Sequence, residues 1–114
     1  MIELIVKDIL ENALAVDVLM ELPDFATYRR ENFVFLEKTG SGRQNYISEA
    51  TVAIQSYGAS LYQAASLNEE VKAAMDAAGL ADPRIFSAKL DSDYHFSDID
   101  NHRYRYQAVY NITY

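Results

Sequence analysis

The chain has 114 residues, half of them hydrophobic, which is the size of one domain able to bury a single core without metal or disulfide staples. Its formal charge of -7 argues against a nucleic-acid-binding surface, which needs clustered Lys and Arg to displace phosphate counterions. The lack of cysteine excludes disulfides, thiol chemistry and cysteine-ligated metal sites, and the short apolar runs and missing basic leader lead us to expect a soluble protein without a membrane span or targeting signal.

Ile2, Ile5, Val6, Ile9, Leu10 and Ala13 recur at helical spacing opposite Glu3, Lys7, Asp8, Glu11 and Asn12, so an amphipathic helix opens the chain. Val16 to Glu21 alternates as a short strand, which Pro23 ends, and the polar stretch 24–31 with Arg29 and Arg30 reads as a mobile loop. Phe33 to Leu36 is apolar on both parities, as in a central strand covered on both faces. The cluster Thr39-Gly40-Ser41-Gly42-Arg43 predicts the tip of a β-hairpin whose second arm runs from Asn45 to Tyr57. At ~13 residues that arm exceeds the usual strand, so it is expected to bend, bulge or project beyond the domain.

Gly58 breaks the strand, and Ser60-Leu61-Tyr62-Gln63 fits a capping box in which serine caps a backbone amide and glutamine reaches back. Leu61, Ala64, Leu67, Val71, Ala74, Met75 and Ala78 form the apolar stripe of a second helix, with Gly79 expected as its left-handed C-cap. Ile85 to Asp93 then alternates as a strand, an acidic loop follows, and Arg103 to Tyr114 closes the chain as a strand. On that last strand Tyr104, Tyr106, Ala108, Tyr110, Ile112 and Tyr114 share one parity, opposite a mostly polar face. Such a face either packs under the helices or meets another subunit. The order α-β-β-β-α-β-β predicts one α+β domain spanning 1–114, a mixed or largely antiparallel sheet with two helices packed on it.

The segment Asp91 to His102 gathers several aspartates and both histidines, the one place where a metal or acid–base site could assemble. An EF-hand loop starting at Asp91 fails, because it needs glycine and glutamate where the chain has Phe96 and His102. His95, His102 and an aspartate are possible zinc ligands, but the spacing fits no short zinc motif. The alternative is a tight loop held by its own Asp and Asn side chains, with Asp93, Asp98 or Asp100 paired to Arg103 or Arg105. Gly40-Ser41-Gly42 lacks the lysine and helix of a phosphate-binding loop, and no Gly-x-Ser-x-Gly elbow exists. We therefore expect no enzyme, no metal and no cofactor. The nine tyrosines suit either core or interface.

Three segments carry a family resemblance: Phe35-Leu36-Glu37-Lys38-Thr39-Gly40 with Arg43 and Asn45; Ala53-Ile54-Gln55-Ser56-Tyr57-Gly58 with Ser60 to Ala65; and Leu90 to Tyr94 with Phe96 and the Tyr104 to Val109 strand. In this order they resemble the tail terminator, or tail-to-head joining, proteins of long-tailed phages and prophages of Gram-positive bacteria. The resemblance spans nearly the whole chain. It implies a structural α/β subunit, assembled in the host bacterial cytoplasm, that forms a ring at the tail–head junction of the virion. Known members are hexameric; the ring caps the completed tail tube, stops polymerisation and presents a surface to the head connector. The implied partners are other copies of the chain, the major tail tube protein and the head connector or neck proteins, with no membrane and no sequence-specific nucleic acid. The candidate contacts with subunit or tube are Arg29, Arg30, Arg43, Tyr46, Tyr94, Tyr104, Tyr106, Tyr110 and Tyr114. A head-completion or neck protein is the nearest alternative, and a small metal- or ligand-binding module is a third.

Overall fold

The computed structural model describes residues 1–114, in the order α1 (Ile2–Ala13), β1 (Asp17–Leu19), β2 (Phe33–Gln44), β3 (Ile47–Gly58), α2 (Leu61–Ala81), β4 (Ser87–His95) and β5 (Tyr104–Thr113). The five strands form one mixed sheet in the order β1-β2-β3-β5-β4, with β1 parallel to β2 and every other pair antiparallel. This is the expected α+β class and order. No helix is long and apolar enough to cross a membrane.

Alternation along the strands separates two faces. Val34 and Leu36, Ala50, Val52 and Ile54, and Ala108, Tyr110 and Ile112 pack under the helices, against Val6 and Leu10 of α1 and Leu67, Val71 and Met75 of α2. The opposite parity forms a smaller cluster on the far face, where Phe33, Phe35 and Tyr57 are covered by Leu19, Phe25 and Tyr28. Phe33 and Tyr57 stack with ring centroids 4.4 Å apart. The segment 24–31, expected as a polar loop, thus contributes two rings that cover one end of the sheet.

Three expectations need correction. The hairpin does not turn at Gly40-Ser41-Gly42: β2 runs on to Gln44, and the turn is Asn45-Tyr46, both left-handed with φ of 51° and 66°. Two left-handed residues are what a two-residue hairpin turn of matching twist requires, and the flanking glycines lie within the paired arm. Thr39 is an extra residue, a bulge between Lys38 and Gly40. Gly79 does not end α2, which continues to Ala81 and is capped by the extended Asp82; no glycine has positive φ. Gly79 instead faces the backbone of Ala88, 3.3 Å from where a Cβ would sit, so the missing side chain lets helix and strand approach. At the other end of α2, Ser60 Oγ accepts from Gln63 N at 3.1 Å, while the return bond from the Gln63 side chain is not made.

Candidate interaction surface

The exposed side chains are distributed along a body of 44 × 23 × 22 Å, whose long axis the hairpin helps to set. The first four residues of β2 are buried and its last eight exposed. Because β1 pairs only with Phe33, Val34 and Phe35, the outer edge of β2 from Leu36 onward has no strand beside it. On the other side of the sheet β4 is also an edge strand, with a bulge at Asp91 and an outer backbone row that no strand pairs. Unpaired strand edges are ready templates for a further strand.

The hairpin carries Arg43, level with Ser48 and free of any ion pair, and at its tip Tyr46, 91% exposed. Near the tip, Ile47 and the 70% exposed Phe86 line a shallow groove with Gln44, Asn45, Glu49 and Thr113. Phe86 was legible only as one member of a strand; the strand begins at Ser87, which leaves its ring outside the ladder. A second open groove, about 510 Å³, runs across β2, β3, β5 and β4, lined by Gly40, Ser41, Thr51, Asn111 and Lys89 among others. Its lining is mostly hydroxyl, amide and charged groups, with no deep apolar pocket.

The other sequence-selected residues fall into separate places. Arg29 is exposed and unpaired in the segment after β1, while Arg30 sits 3.4 Å from Asp17, whose carboxylate also accepts from the Tyr28 hydroxyl at 2.6 Å. Tyr104 is half exposed where β5 begins, and Tyr106 is half-buried beside the His95 ring. Tyr114 packs partly against the core, and its backbone exchanges two hydrogen bonds with Ser48. Tyr110 is a correction: it is fully buried, its hydroxyl directed at Lys72 O and Asp76 beneath α2, and it has no surface to offer a partner. Burial, then the Asp76 carboxylate, pushes its phenol well above the ordinary range.

The far face carries a hydrogen-bonded row that crosses three strands. Arg105 donates to the Tyr57 hydroxyl, which donates to Gln55 Oε1; Gln55 Nε2 donates to Gln107 Oε1, and Gln107 Nε2 to the Tyr94 hydroxyl. Arg105 also donates to the Phe96 carbonyl and lies over its ring, fixing the loop after β4. The Arg105 to Asp98 separation is 3.9 Å, Asp93 pairs with Lys72 of α2, and Arg103 stands over Phe25. The acidic loop is therefore tied to the sheet by Arg105 and by its own Asp98–Asn101 bonds, which hold the Asp98 carboxyl below its usual range. His95 bonds Ser97, His102 occupies a left-handed turn position, and no three His, Asp or Glu side chains converge as a metal cluster.

No protein-family model matches the chain, and no curated protein matches it.

Proposed function

We propose that the chain is a structural subunit of a phage or prophage tail: a terminator that assembles as a ring on the finished tube, stops its growth and joins it to the head connector. The three ordered segments that resemble that family support this reading. The observation that carries it physically is the pair of unlike, unpaired surfaces on one sheet, the outer edge of β2 with its projecting hairpin and the outer edge of β4. A head-to-tail ring needs two different complementary patches on every subunit, whereas a two-fold dimer needs one. The virion is then the site of action, and tube protein and neck proteins are the partners.

Arg43 and Tyr46 on the hairpin are the residues this reading assigns to contact with an acidic, partly apolar neighbour. The net charge of -7 suits a passage that DNA traverses without adhering. Deleting the gene from its phage and imaging the particles tests the proposal. Overlong tubes apart from filled heads are the expected result; free tails of normal length with defective heads would instead assign the chain to head completion.

A further inference from the structure

We infer that successive copies of this chain join through a β-ladder, the outer edge of β2 from Leu36 to Gly42 pairing antiparallel with β4 of the next copy. The inference rests on the ring-forming part of the proposed function and names the partner of its two free edges.

Direction comes first. β2 is antiparallel to β3, β3 to β5 and β5 to β4, so β4 runs opposite to β2 within one subunit. Rotation about an axis along the strands preserves directions, and therefore brings β4 of one copy antiparallel to β2 of the next. Such a contact uses both free edges of every copy. A two-fold contact of β4 with β4, or of β2 with β2, leaves the other edge open.

Level comes next. Following the ladders across the sheet, Leu36 stands level with Ile54, Ala108 and Asp93; Glu37 with Ala53, Val109 and Ser92; Lys38 with Val52, Tyr110 and Leu90; and Gly40 with Thr51, Asn111 and Lys89. The free span of β2 thus begins where β1 stops and lies opposite Ser87 to Asp93, the part of β4 that precedes its exposed aromatic end. Pairing level with level is the register we assign to the contact, from which the stagger of a closed ladder is counted.

Charge agrees on both faces. On the far face Glu37 stands diagonal to Lys89 of the next copy, with Gly40 leaving space opposite the lysine. On the helix face Lys38 stands diagonal to Asp93. Glu37, Lys38 and Lys89 have no ion-pair partner within the subunit. Opposite charges at diagonal cross-strand positions favour one register over its neighbours.

The chain contains no cysteine, so introduced thiols report cleanly. Glu37→Cys and Ser92→Cys proteins, mixed and mildly oxidised, are expected to form mixed disulfide dimers, and the double variant to form covalent ladders. Gly40→Cys with Lys89→Cys, level by the same ladders and both exposed, serves if the first pair folds poorly. Glu37→Lys and Lys89→Glu should each raise the half-assembly concentration by roughly fivefold, and together restore it. Links within a single-cysteine protein alone, or no link in either pair, would overturn the ladder, as would charge reversals whose effects simply add. Overlong tails on gene deletion without these links would keep the terminator reading and remove this interface; links with normal tails would do the reverse.

Discussion

Arg105 Nη1 donates to the Tyr57 hydroxyl at 2.9 Å, joining β5 to β3 at the point where the loop 96–103 returns to the sheet. The same guanidinium lies 4.3 Å from the Phe96 ring centroid and donates to the Phe96 carbonyl. A planar guanidinium can lie flat on a ring while donating within its own plane, a geometry that the compact ammonium of lysine does not reproduce. Arg105→Lys should lower stability by about 1–2 kcal/mol and release the loop before the rest of the sheet. Denaturant unfolding with amide exchange checks this, and unchanged exchange over 96–103 would refute it.

Tyr28, Tyr57 and Tyr110 resist ionisation in the folded chain, each chiefly through burial, and Tyr28 is pushed up to about 12. Folded values above the unfolded value mean that the stabilisation is complete below the unfolded phenol range, near pH 10, and is lost as pH rises through the folded values. Stability should therefore hold to roughly pH 10 and fall above it, with these three phenols ionising at higher pH than an ordinary tyrosine. Tyr110→Phe should cost less than about 1 kcal/mol at neutral pH, because its hydroxyl contacts are 3.3 and 3.4 Å, and should move alkaline unfolding to higher pH. Phenolate absorbance and circular dichroism, titrated together, measure both effects.

Gly58 is where β3 meets the start of α2, and a Cβ there would lie 2.4 Å from the Ala64 backbone nitrogen. Neither side of that contact is a side chain that can turn away. Gly58→Ala should destabilise by about 3 kcal/mol or prevent folding. Gly40→Ala meets nothing within 4 Å and should stay within about 0.5 kcal/mol of the parent. Thermal unfolding of the two variants side by side separates a packing glycine from a permissive one.

Most elements were legible from a period, helical in Ile2 to Ala13 and Leu61 to Ala78 and alternating in Val16 to Glu21, Ile85 to Asp93 and Arg103 to Tyr114, while Phe33 to Leu36 showed itself as a run apolar on both parities. The hairpin turn was not, because Gly40 and Gly42 imitate a turn more strongly than Asn45-Tyr46, whose left-handed conformations depend on the register of the paired arms. Tyr110 showed its strand face but not its depth, since only packing under α2 distinguishes core from interface. Arg105 and Gln107 read as a polar face, yet they join Tyr57, Gln55 and Tyr94 from strands distant in sequence. The unpaired edges of β2 and β4 are likewise properties of strand order, which no single segment encodes.

Tyr46 brings local strain and exposure together at the hairpin tip. With φ of 66° its Cβ is crowded by the backbone, and its ring, 91% exposed, recovers nothing from packing in the subunit. Tyr46→Gly should therefore stabilise the hairpin by about 1 kcal/mol, through a turn position that glycine occupies without strain. If the ring is a contact in the assembled ring or on the tube, the same substitution weakens assembly while the isolated chain becomes more stable. Folding defects push both quantities in one direction, whereas a lost contact separates them. Chemical denaturation and sedimentation of Tyr46→Gly, with Tyr46→Asn as a left-handed-tolerant control, read the two separately; assembly unchanged in both variants would remove Tyr46 from the interface.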